Sequence, residues 1–238
     1  MIGKPLRGIT GLHPISLDIE VAPIEASNTQ PITTPPESGW NKVLEMKFNN
    51  NFNDSTGRHS PVSYGAVTSS AQSVEGGYSL YANRDGRVFT DDYNGSHPDF
   101  NFTGKDFKII CWIRPINSGN TYDYVWSKNI SDSLGVTLRM ELSGPTPIVY
   151  LWPMDGPQVS TTVPDLLSGK WTKTEVSRIG GVWSLLIDDV VASSATTDVV
   201  YWVPNWESGT EFLGFTIGGI ANSNGYSGWI DNFVVYTK

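Results

Sequence analysis

The last third of this chain reads as a succession of β-hairpins, a pattern that excludes most other folds. Gly169-Lys170-Trp171 opens a strand, Ser177-Arg178-Ile179-Gly180-Gly181 turns it, and Val182-Trp183-Ser184-Leu185-Leu186-Ile187-Asp188-Asp189 starts the return. Apolar and polar residues alternate along both arms, many are β-branched or aromatic, and the glycine pair supplies the positive φ that a tight turn needs. Ile187-Asp188-Asp189-Val190-Val191 sets two turn-prone carboxylates between β-branched runs, so a second hairpin follows at once. Composition agrees: 24 Gly, 15 Pro and 12% aromatic residues without a long helical period point to strands joined by frequent turns. At 238 residues the chain has the size of one sandwich domain with a sizeable core.

Further segments follow in order. Leu44-Glu45-Met46-Lys47-Phe48 precedes Asn53-Asp54-Ser55-Thr56-Gly57, then come Gly76-Gly77-Tyr78-Ser79-Leu80-Tyr81 and Phe107-Lys108-Ile109-Ile110-Cys111-Trp112-Ile113-Arg114-Pro115. After the hairpins, Phe215-Thr216-Ile217-Gly218-Gly219 and Gly225-Tyr226-Ser227-Gly228-Trp229-Ile230-Asp231-Asn232-Phe233-Val234-Val235-Tyr236 close the chain. Taken in this order, the segments resemble the laminin-G-like, concanavalin A-like jelly-roll family. That family runs from an Asp-Ser-Ser-Gly turn through Gly-x-Trp and Gly-x-x-x-Leu-x-Val-Asp-Gly to an Ile-Gly-Gly strand and a terminal Gly-x-Ile-Asp strand. The resemblance covers Trp40 to Lys238 and implies an all-β fold, a two-sheet antiparallel jelly-roll sandwich over residues 40–238. Period-2 alternation places Ile109, Cys111, Val176, Leu185, Ile187, Ile217, Ile230 and Phe233 in the interior. Trp112, Trp171, Trp183 and Trp229 sit in the family's strand motifs and are expected in the core.

Residues 1–39 are a different object, an extended N-terminal arm and Pro-rich linker. Leu12 and Ile15 lead into Leu17, Ile19 and Val21, which alternate with Ser16, Asp18 and Glu20 to give a strand with one apolar face. Pro23 and the stretch from Ser27 to Gly39, rich in proline and small polar residues, favour an extended linker. The arm has two readings: an edge strand added to its own sandwich, or strand addition to another subunit, where main-chain hydrogen bonds give affinity and alternate apolar side chains give register.

A formal net charge of −8 argues against a nucleic-acid partner, since phosphate binding needs clustered Lys and Arg. The N-terminal residues predict no secretion signal, and no segment approaches the roughly 20 apolar residues of a membrane span. The single cysteine, Cys111, reads as a buried core thiol. Catalysis finds no home either. The glycosidases of the concanavalin A-like superfamily carry paired carboxylates on one strand, and no such triplet occurs here, while His13, His59 and His97 lie in loop-like contexts without metal-ligand spacing and read as surface or turn residues.

Two binding activities are implied by the resemblance. Many laminin-G-like domains hold a structural calcium ion between the first turn and the last strand, and acids stand at both places, Asp54 and Asp231; the alternative is that each merely orders a turn or loop amide. Carbohydrate binding would use exposed rings. Trp152, Trp202 and Trp206 lie beside proline and turn residues, where they would contact a glycan, pack inward or form a subunit interface. The family's use as a displayed domain in virions, with the arm, leads to an expected function: a non-enzymatic structural protein of a tailed bacteriophage. Within the virion it would be a capsid decoration or auxiliary protein, homo-oligomeric and assembled in the host cytoplasm. The arm would bind a major capsid or tail protein, and the jelly roll would be offered to cell-surface glycan. A tail-associated receptor-binding protein and a free lectin are the alternatives.

Overall fold

A computed structural model describes residues 38–90, 97–100, 102, 104–128, 136–153, 158–196, 214–219 and 225–238, and the backbone alone of residues 129–131 and 134–135. The arm positions Leu12, Ile15, Leu17, Ile19 and Val21, with Trp202 and Trp206, lie outside the described residues.

In chain order the strands are β1 (Asn41–Met46), β2 (Val62–Tyr64), β3 (Val67–Ser69), β4 (Ser79–Asn83), β5 (Arg87–Phe89), β6 (Phe107–Pro115), β7 (Tyr122–Ser131), β8 (Leu134–Glu141), β9 (Ile148–Pro153), β10 (Val159–Thr162), β11 (Thr172–Ile179), β12 (Val182–Ile187), β13 (Val190–Thr196), β14 (Thr216–Ile217) and β15 (Ser227–Thr237). One 3-10 turn, Pro98–Phe100, interrupts them, and no α-helix occurs among the described residues. The first sheet runs β13-β12-β11-β6-β15-β4-β3, with β1 paired to β15 beyond β4; the second runs β10-β9-β8-β7-β14-β5-β2. All pairings between named strands are antiparallel, as a jelly-roll sandwich requires.

The hairpins form where the turn residues dictate. Gly180 and Gly181 (φ 56° and 85°) join β11 to β12, and Asp188 and Asp189 (φ 49° and 67°) join β12 to β13. Positive φ at both central residues matches the right-handed twist of the flanking strands. In β6 the odd positions from Phe107 to Pro115 are buried and the even ones half-buried, the strict alternation of a strand with one face on a core. Ile109, Cys111, Val176, Leu185, Ile217, Ile230 and Phe233 are buried as expected, and Ile187 packs half-buried against them. Between the sheets Trp126, Phe215 and Phe233 meet edge to face, with centroids 5.5–6.3 Å apart. Removing such a ring costs about 3–5 kcal/mol.

β15 breaks its own alternation once. Asp231 pairs with Trp112 and Val234 with Ile110, so three residues on β15 span two on β6. The extra residue is Asn232, at φ 48°, and the resulting bulge keeps Ile230, Phe233 and Val235 all inward. Trp183 is buried, but Trp112, Trp171 and Trp229 are only half-buried. Trp112 and Trp229 take the outward positions of β6 and β15, because the motif alternation that buries Cys111 and Ile230 turns their neighbours out.

Candidate functional site

On the second sheet, β8 and β9 pair with Arg139 opposite Tyr150 and Thr137 opposite Trp152. Val136, Leu138, Met140, Val149 and Leu151 are buried in the core, so the alternate residues Arg139, Glu141, Tyr150 and Trp152 share the outward face. Tyr122, opposite Glu141 on β7, joins them. The Arg139 guanidinium lies 3.8 Å over the Trp152 ring, 4.6 Å over that of Tyr122 and 5.2 Å over that of Tyr150. Contacts of this kind contribute about 0.5–1 kcal/mol at exposed sites and more where water is excluded. The Tyr150 hydroxyl donates to Glu141 Oε2 at 2.7 Å; that bond, with burial and the carboxylate's charge, lifts the phenol above its ordinary value. Arg139 Nε is buried and meets no acceptor among the described residues.

The patch is therefore aromatic, with a guanidinium among its rings and a carboxylate beside them. Trp152 retains 38% exposure although a guanidinium covers one of its faces. It stands on a strand rather than on a loop tip: the proline that suggested a loop, Pro153, is the last residue of β9. Arg139, Tyr122, Tyr150 and Glu141 escaped the sequence reading. Their signal is the period-2 pattern of β7, β8 and β9, which puts these four residues on one face with Trp152 only when the three strands are laid side by side. A smaller aromatic pair lies outward on the first sheet, where Arg114 sits 5.5 Å over Trp229 and Tyr81 lies 5.3 Å from it.

The two acids of the calcium expectation are both buried but serve different loops. Asp54 Oδ1 accepts from the backbone N–H of Glu45 and Thr56, and Oδ2 from the Thr56 hydroxyl and the N–H groups of Arg58 and His59. Five donors saturate the roughly four lone-pair sites of a carboxylate. Burial pushes this carboxyl up, but the donors outweigh it and hold Asp54 below the usual range. Asp231 accepts from the N–H groups of Val74, Glu75 and Asn232. The two carboxylates share no hydrogen-bond partner: Asp54 is met by four N–H groups and one hydroxyl, and Asp231 by three N–H groups, each ordering its own turn or loop.

Of the histidines, His97 is a partly exposed loop residue as expected, and His59 departs from the surface reading. His59 is buried, its ring stacked 4.3 Å from Phe100 and set edge-on to His97 at 4.4 Å. His13 lies outside the described residues.

No protein-family model and no curated protein matches the chain. Solved structures do. Domain 4 of AbnA, an extracellular arabinanase from Geobacillus stearothermophilus solved with arabinotriose, superposes with a TM-score of 0.60 at 15% identity, over 83% of this chain and 92% of that one. The chain shares its β-sandwich fold. Botulinum neurotoxin type C, whose cell entry depends on two ganglioside molecules, matches with a TM-score of 0.57 at 16% identity over 82% of this chain, and the serotype D binding domain with 0.58 at 12% over 83%. The chain spans about half of those toxin chains, 47% and 48%.

Proposed function

We propose that this protein is a non-catalytic carbohydrate-binding sandwich that takes oligosaccharides on the outward face of β7, β8 and β9. The observation that carries the reading is the Trp152 ring, exposed and braced from one side by Arg139. Sugar rings present apolar C–H faces that stack on an indole, and their hydroxyls accept hydrogen bonds from a guanidinium and donate them to a carboxylate held beside it, here Arg139 and Glu141. Support comes also from the fold's company: the arabinanase domain was solved with an arabinose trisaccharide, and the type C toxin engages gangliosides.

The test is a glycan array followed by titration with the best ligand. Trp152→Ala is expected to weaken binding about tenfold, the loss of one stacking contact of about 1.4 kcal/mol, with a melting temperature lower only by the few degrees that the lost Arg139 contact costs. Undiminished binding by Trp152→Ala would move the site elsewhere.

Display on a virion is the further part of the proposal. It is supported by the apolar alternation of Leu17, Ile19 and Val21 behind a Pro-rich linker, which suits strand addition to a capsid or tail protein. Homo-oligomerisation and assembly in the host cytoplasm belong to the same reading. Purified particles should then contain the protein in capsid-like copy number.

A further inference from the structure

We propose that His59, His97 and Asp99 form a binding site for a divalent transition-metal ion of the zinc class. The three residues come from two places that the sandwich brings together. His59 ends the turn held by the Asp54 carboxylate, which accepts the backbone N–H groups of Thr56, Arg58 and His59. His97 precedes and Asp99 occupies the 3-10 turn Pro98–Phe100. One nitrogen of each imidazole and a carboxylate oxygen all lie within 4.8 Å of one another.

The separations are those of metal ligands. Asp99 Oδ2 is 3.6 Å from His59 Nε2 and 3.5 Å from His97 Nδ1, too long for hydrogen bonds. Two ligand atoms bound to one tetrahedral zinc at 2.0–2.2 Å stand about 3.4 Å apart. Both separations to the carboxylate match that figure, and the two imidazole nitrogens, within 4.8 Å of each other, would be drawn to it by an ion.

Its supports are in place. Arg58 grips Asp99 through both oxygens, Nε to Oδ2 and Nη2 to Oδ1. Each carboxylate oxygen has two lone pairs, so the fork leaves one on Oδ2 for a metal. Phe100 stacks on the His59 ring and fixes its plane, and the Asp99 N–H donates to His97 Nδ1 at 3.3 Å, a long bond on that nitrogen's lone pair which loading exchanges for the metal. His59 Nε2 donates to the Val43 carbonyl at 3.0 Å. Loading exchanges this bond for the metal and moves the imidazole proton to Nδ1. The guanidinium opposes a dication, but its side chain is 47% exposed and solvent screens it. Entry is open through His97, at 33% exposure, while His59 is fully covered.

Two imidazoles and one carboxylate are a zinc donor set, with water in the fourth position; calcium and magnesium require oxygen ligands. An ion here would cross-link the 54–59 turn to the 3-10 turn.

The test uses untagged full-length protein stripped of metal, titrated with zinc chloride by calorimetry and melted with and without zinc. One ion per chain and a higher melting temperature are expected, with no shift from calcium or magnesium at equal concentration. His97→Ala, a partly exposed loop substitution, should weaken zinc binding at least ~100-fold. His59→Gln, which keeps a donor for the Val43 carbonyl but loses the stack on Phe100, should do the same and melt at one temperature with and without zinc. No binding by the parent overturns the proposal, and so does zinc binding that survives in both variants.

Discussion

At the scale of single residues, burial decides how the ionisable groups behave. Cys111 is pushed up to about 12 by burial, against the weaker pull of hydrogen bonds from Thr174 and Trp126, so it stays a neutral core thiol. Asp231 is the costlier case. It has no exposed surface, and burial raises its carboxyl from 3.8 to about 6, although the N–H groups of Val74, Glu75 and Asn232 pull it down. An acid whose folded value lies above its unfolded one binds its proton more tightly in the fold. Stability is therefore lost as pH climbs from about 4 to about 6, and the full cost is borne above that, at most ~3 kcal/mol. Asp231→Asn removes the charge and keeps a side-chain carbonyl for the Val74 and Glu75 amides, at the cost of the Asn232 bond to the other oxygen. We expect it to melt above the parent at pH 7.5 and the gap to narrow towards pH 4; an equal gap at both values would separate the effect from titration.

At the scale of elements, β15 organises the first sheet, since it pairs with β6 on one side and with β1 and β4 on the other. Its entry depends on Gly228. There φ is 141°, which L residues rarely adopt, and a Cβ would lie 2.8 Å from Pro115 Cα and closer still to the Arg114 carbonyl oxygen. Gly228→Ala should therefore destabilise the fold by about 3 kcal/mol or more, backbone strain and overpacking together, read as a lower denaturant midpoint. A midpoint within error of the parent would mean that β6 and β15 part easily at this end. The sequence marked Gly228 as a motif glycine, but nothing in its neighbours on the chain announces the backbone of β6 against it.

At the scale of the molecule, the core cluster draws on residues from Val43 to Val235 and on both sheets. A chain lacking residues 1–39 should thus give a β-dominated circular dichroism spectrum and a cooperative melt close to that of the full chain, while losing incorporation into particles. Unfolding of the truncated chain would make the arm an intrinsic strand of the sandwich. Normal incorporation would put the anchor on the jelly roll and end the argument for a displayed virion protein.

The sandwich was legible in the chain because its determinants are local. Two-residue turns at Gly180-Gly181 and Asp188-Asp189 and strict alternation in β6 need no distant partner to be recognised, and they carry the fold class, the position of the hairpins and part of the core. The outward faces were less so. Alternation says that Trp112 and Cys111 point opposite ways but not which face has the second sheet behind it. The side-chain clusters depended on distance rather than pattern. Arg139 meets Trp152 across two strands, and His59 meets His97 and Asp99 across some forty positions of sequence. Asp54 became a turn acceptor only when five donors had folded around it. Local propensity determines which strands form; only the close approach of residues far apart in the chain decides which side chains share a solvent, a proton or an ion.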